Sequence, residues 1–330
     1  MTINVAVVSA EALVLGCDSI STVTEYFLNP FAHPADFVGS GRYQVSFSMN
    51  ELVPQVTNSW DGVTKMFALS SDSRTPVAAV TAGLARLNDR SMKSYADEFL
   101  RDKTANALVQ RTVEEVANNF LIFMRRHYDQ HYADSPLPPE LRDGPVFLVG
   151  GYNAASHMPS LFRVNVQNNS VILEHAPGTF GIAWDGQSDA VERLMRGYDI
   201  VLRDSIERQI NAEITALRKI MDNAATLTPQ KILDRTDRSL LESMDNEPPE
   251  VPRVSIDWDN FKWDIAYGNL PVQDLIDLTA YLVGLQSGRA KFGKGIATVG
   301  GRTRIGLIRK QEGVEMLNES ELRYTRVGAV

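Results

Sequence analysis

Cysteine occurs once, at Cys17, which excludes an internal disulfide and suits a reducing compartment. Lysine and arginine are missing from the start of the chain, where Arg42 is the first basic residue. Leu13 to Cys17 resembles a lipoprotein cleavage site. A secretory signal needs a positive leading region and an unbroken apolar core, and Glu11 interrupts the apolar run. No stretch reaches the roughly 18 uninterrupted apolar residues of a membrane span. Positive charge is short overall: 33 Lys and Arg against 41 Asp and Glu leave a net charge of -8, which argues against nucleic acid or an anionic membrane as partner. No unit of 20–50 residues repeats. The expectation is a cytoplasmic protein with no nucleic-acid or membrane partner.

What is present is ordinary globular composition, 44% hydrophobic and 22% charged. Residues 2 to 22, TINVAVVSAEALVLGCDSIST, organise the rest. Thr2 follows Met1 directly. Val5-Ala6-Val7-Val8 and Leu13-Val14-Leu15 are two apolar runs around the polar break Ser9 to Glu11, and Asp18 closes the second. This pattern predicts a β-hairpin beginning at the first residue of the processed chain. A strand would tie down a terminus that is otherwise loose. A freed α-amine has a pKa of about 7.7–8.0, so part of it is neutral near pH 7, and threonine with its own amine forms a nucleophile–base pair.

Further along, residues 23–62 read as an inserted loop with a short hairpin. VTKMFAL (63–69) and PVAAVTAG (76–83) read as strands, with Lys65 inside the first. Helical period predicts helices at about 90–102 and 105–130. His127 and His131 have ligand spacing, but no zinc-protease glutamate follows, and positive groups are favoured in a last turn. No metal site is assigned. Strands return at 145–150, 161–166, 171–173 and 180–184, then a helix at 188–198. A charged helical stretch spans 199–243, and an acidic Pro loop follows around Glu247–Pro252. Trp258, Phe261 and Trp263 suggest that this loop folds back. A helix from Leu270 to about Leu285 and a strand from Arg304 to Lys310 close the chain. Strands and helices in blocks argue for layers, two facing sheets with helices outside, and against alternating βαβ units.

Thr2, Asp18, Lys65 and Gly83, in this order on these strands, resemble the proteasome β-subunits and their bacterial relatives, which are N-terminal nucleophile hydrolases. Asp18 stands sixteen residues past Thr2, in the family's register. Lys65-Met66-Phe67, Ala82-Gly83, Asp185-Gly186-Gln187 and Thr298-Val299-Gly300-Gly301 match in kind. The resemblance covers most of residues 2–198 and 270–316. It implies an α+β, four-layer αββα fold in one domain over 1–330, with insertions at about 24–62 and 199–269.

The resemblance also implies roles. Thr2 is the nucleophile. Lys65 tunes it electrostatically, and Asp18 holds Lys65 charged. Gly83 N–H serves the oxyanion, and Asp185 stands where the family has serine. Thr22 would hold the substrate backbone as an added strand, and Thr81 would line the side-chain pocket. No metal or organic cofactor is required, and a homo-oligomeric ring acting on a peptide or protein substrate is expected. Ile20 departs from the family's arginine. The positions of its Asp-x-x-Ser read Ile296 and Val299 here. The resulting expectation is a threonine-type peptidase that cleaves amide bonds. Its alternatives are a catalytically weak or inactive ring or scaffold subunit, and a small-molecule amidase of the same superfamily.

Overall fold

Strands β1 (Ile3–Val8) and β2 (Leu13–Cys17) are buried along their whole length, which is why Val5–Val8 and Leu13–Leu15 read as apolar runs. The computed structural model describes residues 2–27, 36–39, 42–44, 53–70, 72–102, 111–135, 137–227, 256–294 and 296–317. These form two units: residues 1–191 with 265–330, and residues 192–264.

The first unit holds two five-stranded antiparallel sheets. One runs β14 (Gly181–Gly186), β1, β2, β15 (Arg304–Arg309), β16 (Gly313–Met316). The other runs β13 (Ser170–His175), β12 (Pro159–Asn165), β11 (Pro145–Tyr152), β8 (Val77–Gly83), β7 (Met66–Ala68). Side chains alternate faces along a strand. Ala6, Val8, Leu13 and Leu15 therefore share one core with Met66, Ala78, Val80 and Leu148 of the second sheet. The residues between them on β8 and its neighbours point the other way. Phe67, Ala79, Phe147 and Val149 pack against helices α1 (Met92–Arg101) and α2 (Val113–His131). Phe120 of α2 centres that layer, 5.0 Å from the Phe147 ring and 5.2 Å from Phe99. Helix α2 starts on a capping box: Glu115 N–H donates to Thr112 Oγ1 at 3.1 Å, and the Glu115 carboxylate accepts from Thr112 N–H.

Helix α3 (Asp189–Arg196) follows β14, and helix α5 (Val272–Phe292) lies on β1, β2 and β15. Gly16 makes room for α5, because a Cβ there would fall 2.4 Å from Thr279 Cγ2. The architecture is mixed α+β with antiparallel sheets.

Some sequence boundaries shift. Lys65 stands just before β7 instead of inside a strand, and β16 is an additional closing strand. The stretch read as a loop with a short hairpin contains a longer ribbon, β3 (Ser21–Phe27) paired with β6 (Val53–Trp60), and a small pair, β4 (Asp36–Gly39) with β5 (Arg42–Gln44). β9 (Arg86–Leu87) and β10 (Arg90–Ser91) form a further short hairpin. The start of the helix expected at 105–130, the end of the helical stretch at 199–243 and the acidic Pro loop lie outside the described residues.

In the second unit, helix α4 (Ile200–Leu227) carries the charged stretch. Trp258 packs tilted against Tyr198 at 5.0 Å and donates from Nε1 to Glu207 at 2.7 Å, and Trp263 N–H reaches Met195 O at 3.0 Å. The aromatic segment thus folds back as its composition suggests. No helix among the described residues is long and apolar enough to cross a membrane.

Candidate active site

Thr2 sits at the head of β1, only 6% exposed, and its carbonyl accepts from Gln187 N–H at 2.7 Å. That approach requires Gly186. Its φ is +83°, and a Cβ there would lie 2.0 Å from Thr2 O.

Asp18 leaves the end of β2 and is buried. Its Oδ1 accepts from Lys65 Nζ at 2.7 Å and from Ile3 N–H at 3.1 Å. Its Oδ2 accepts from Ile20 N–H at 3.2 Å and Gly300 N–H at 3.1 Å. Four donors occupy the roughly four lone-pair directions of one carboxylate. Lys65, 4% exposed, also donates to Ile20 O. Burial pulls its ammonium below the ordinary lysine pKa, and the attraction of Asp18 opposes that pull without cancelling it. Next to them the Cys17 thiol is pushed up to about 12 by burial, so it stays protonated and is not a competing nucleophile.

A small cleft opens here. Thr2, Lys65, Thr81 and Gly83 all line it, with Val63, Leu84 and Met92 among its other walls. Gly83 ends β8 at φ +80°, and a Cβ there would fall 2.4 Å from Gly144 O. Thr81 N–H donates to Lys65 O at 2.9 Å, while its buried hydroxyl has no hydrogen-bond partner among the described residues. The cleft therefore holds a hydroxyl, an ammonium paired with a carboxylate, and a side-chain-free strand end. Such a set can lower the cost of an alkoxide or oxyanion.

No family model matches the chain, and no curated protein matches it. Among solved structures it is similar to Anbu (ancestral beta-subunit) from Yersinia bercovieri, at 10% identity and TM-score 0.43, covering 98% of this chain and 89% of that one. It is also similar to an Anbu (Gly-1) mutant from Hyphomicrobium sp. strain MC1, at 11% identity and TM-score 0.42, with the same coverages. These findings correct the family read from the sequence. The structures found are Anbu proteins, a family distinct from the proteasome β-subunit-like branch with its bacterial proteasome relatives. Ile296 and Val299, where that branch has Asp-x-x-Ser, already departed from it.

Two of the residues singled out from the sequence lie elsewhere. Asp185 stands opposite Asn4 on the neighbouring strand, and its carboxylate takes Arg163 Nη1 and its neighbour Gly186 N–H. Arg163 also reaches Glu174 at 2.6 Å and Trp184 O at 3.0 Å, so Asp185 belongs to a charge cluster apart from the residues lining the cleft. Thr22 pairs with Ser59 in the β3–β6 ribbon and is not a wall of the cleft. Thr298 Oγ1 donates at 2.6 Å to Oε1 of Gln187, the residue whose N–H holds Thr2 O. His131 Nδ1 accepts from Asn88 N–H at 3.2 Å, and His127 packs on Tyr95 and Phe123. No cluster of three or more candidate metal ligands occurs among the described residues.

Sequence reasoning missed the Ser19 knot. Ser19 Oγ donates to Asp61 and accepts from Arg302 N–H at 2.7 Å, and its backbone joins Gly300 O and Val63 N–H. It ties the base of the inserted ribbon to the loop that carries Asp18.

Proposed function

We propose that the chain is an N-terminal threonine hydrolase that cleaves amide bonds, most simply in peptides. On this reading the fold is the four-layer αββα sandwich of N-terminal nucleophile hydrolases, in one domain with insertions at about 24–62 and 199–269. The single observation that carries the reading is the buried Lys65–Asp18 pair at 2.7 Å in the cleft that Thr2 also lines. Thr2 Oγ1 attacks the carbonyl, and the freed Thr2 amine takes the hydroxyl proton and passes it to the leaving nitrogen. Lys65 favours the developing negative charge, and Gly83 N–H is the oxyanion donor. The acyl-enzyme is released by water, so no metal or organic cofactor is required. Thr81 lines the side-chain pocket, and Thr22 on the ribbon supplies a strand edge for the substrate backbone. The protein is cytoplasmic and works as a homo-oligomer.

The amine exists only when nothing precedes Thr2, because an amide nitrogen is no base. The test is intact mass of the purified protein, with an acylating electrophile and fluorogenic peptides offered to wild type and Thr2→Ala. The expected outcome is a chain beginning at Thr2, one adduct on Thr2, and peptide turnover lost in the variant. A retained Met1, or equal turnover by Thr2→Ala, overturns the proposal.

One observation favours a second reading, a catalytically weak or inactive scaffold. The Asp185 carboxylate is taken up by Arg163, so it is not free to serve the Thr2 amine. Absence of both adduct and turnover in chains that begin at Thr2 would select it. An adduct without peptide turnover would select a small-molecule amidase.

A further inference from the structure

Asp61 stands exposed at the foot of the β3–β6 ribbon, directly after Trp60. Its Oδ1 accepts from its neighbour Gly62 N–H at 2.6 Å, an ordinary turn contact. The same atom also accepts from Ser19 Oγ, 42 positions earlier in the chain. Ser19 is fully buried, and each of its polar groups is engaged. Its N–H donates to Gly300 O at 3.1 Å, and its carbonyl accepts from Val63 N–H at 2.9 Å. Its hydroxyl accepts from Arg302 N–H at 2.7 Å while donating to Asp61. Gly301 makes room for this: its φ is +75°, and a Cβ there would collide with both Asp61 Oδ1 and Ser19 Oγ.

These bonds lie on the backbone that holds the ammonium. Asp18 precedes Ser19, Ile20 follows it, and Lys65 Nζ donates to both. The two strands of the ribbon leave from the same place. β3 continues from Ile20, Ser21 pairs with Trp60, and the chain returns from Trp60 through Asp61 to Lys65. The Lys65 backbone is fixed from the second sheet, where its carbonyl accepts from Thr81 N–H at 2.9 Å. The acceptors of its ammonium sit instead on residues 18–20, and the bonds of Ser19 hold those residues to the ribbon foot and to Gly300 and Arg302. Charge-assisted hydrogen bonds are short and weaken steeply with angle, so a small shift of this loop is felt at Nζ.

Asp61 adds a charge as well as a bond. Asp18 and Cys17 face Lys65 from the end of β2, Asp61 faces it from the ribbon foot, and Arg302 and Arg304 face Asp61 from the start of β15. The hydrogen bond from Ser19, with that from Gly62 N–H and the nearby arginines, holds the Asp61 carboxyl below the usual carboxylate range. Asp61 is therefore ionised wherever Lys65 titrates, and its negative charge favours the ammonium over the neutral amine.

We propose that Asp61 is a positioning residue of the cleft: acting through Ser19, it holds residues 18–20 as the acceptors of Lys65 and makes the seating of the ribbon a condition for the reactivity of Thr2. The effect on Thr2 rests on the threonine-nucleophile reading, whereas the hold on Lys65 does not.

The test reads Lys65 and Thr2 separately. In the full chain with ¹³C-labelled lysine, the Lys65 side-chain NMR signal is assigned by its loss in Lys65→Arg. Its titration is followed in wild type, Asp61→Asn, Asp61→Ala and Ser19→Ala, and Thr2 acylation is measured on the same proteins. Asp61→Asn keeps an oxygen that can accept from Ser19 but removes the charge. The Lys65 midpoint should fall to lower pH, and the fall should shrink at high salt because position 61 is exposed. Asp61→Ala loses the bond too, so its midpoint should fall further. Asp61→Ala and Ser19→Ala should each slow acylation by roughly tenfold or more, since a small misplacement of a catalytic group can cost about 100-fold. Asp61→Asn should lie between Asp61→Ala and wild type. Phe120→Ala, which disturbs only the helix-side core, should change neither readout. A Lys65 midpoint that stays at the wild-type value in both folded Asp61 variants overturns the proposal. So does unchanged acylation in Asp61→Ala when the wild type is acylated. If the wild type is not acylated and yet the midpoints move as stated, the nucleophile reading fails and the positioning role of Asp61 stands. If Ser19→Ala fails to fold, the two Asp61 variants decide alone.

Discussion

Lys65 Nζ lies 2.7 Å from Asp18 Oδ1, and both side chains are buried beside Thr2. A buried ion pair is weak evidence for stability in itself, since two desolvated charges offset much of their attraction. Here the carboxylate also ties together the first residue of β1, the loop after β2 and the distant Gly300 backbone. The pair thus joins the order of the strand ends to the charge state of the cleft.

Removing the ammonium should separate the two roles. Lys65→Met leaves the Asp18 charge buried without its cation, which should cost about 3–5 kcal/mol by denaturant melting. The rate of Thr2 acylation should fall by about 10²–10³ in protein that remains folded, the size seen when one stabilising donor is lost. Unchanged acylation in the folded variant would remove Lys65 from the mechanism.

The pH dependence has a definite sign. Burial lowers the Lys65 pKa in the folded chain below the ordinary lysine value of 10.5. Between the lowered folded value and the unfolded one, the unfolded chain binds more protons. Stability from this group therefore rises with pH through that window, is complete above the unfolded value, and is lost as pH falls through the folded value. Acylation should run the other way, because it uses the charged form. Its alkaline limb should lie below the ordinary lysine value, and Lys65→Met should abolish that limb. A limb at or above pH 10.5 in the wild type would show that burial is outweighed.

Two glycines in the same backbone region make a controlled comparison. Gly178 has φ +88° with nothing among the described residues within 4 Å of an added Cβ, so Gly178→Ala should cost only the left-handed penalty of about 1–2 kcal/mol. Gly186 has φ +83°, and an added Cβ falls 2.0 Å from Thr2 O. Gly186→Ala should cost distinctly more in thermal melting and slow acylation as well, while Gly178→Ala leaves acylation unchanged.

How far the sequence speaks follows from the range of each interaction. β1 and β2 are legible because both faces are covered, leaving unbroken apolar runs, and α1 and α2 because only one face is. Thr2, Lys65, Thr81 and Gly83 do meet at one cleft, and Asp18 holds Lys65 there. The donors that complete Asp18 are not legible, since Gly300 stands 282 positions away and contributes only backbone. The β3–β6 ribbon hid for the same reason: its polar strands lack an apolar face, and the partners Ser21 and Trp60 are far apart in the chain. Asp185 drew its role from position alone, and its actual partner, Arg163, comes from the other sheet.

The helix-side core should be separable from the cleft. Phe120 packs among Phe67, Phe99 and Phe147, on the face of the second sheet away from β1. Phe120→Ala should lower stability by about 3–5 kcal/mol without changing acylation of Thr2 in protein that stays folded.

Asp185 gives the sharpest test of the site's limits. Arg163 binds Asp185 and Glu174 together, and all three side chains are only partly buried. A half-wet ion pair of this kind is worth about 1 kcal/mol or less. If Asp185 serves only this cluster, Asp185→Asn should lower stability by no more than that and leave acylation within about threefold, because 1.4 kcal/mol of transition-state energy would already be tenfold. Arg163→Met should then behave like Asp185→Asn. If instead the carboxylate assists the Thr2 amine, Asp185→Asn should cut acylation well beyond threefold and shift its acid limb. Arg163→Met, which releases the carboxylate from its partner, should then raise the rate. Opposite signs in the two variants would restore Asp185 to the proton path, and equal small effects would remove it.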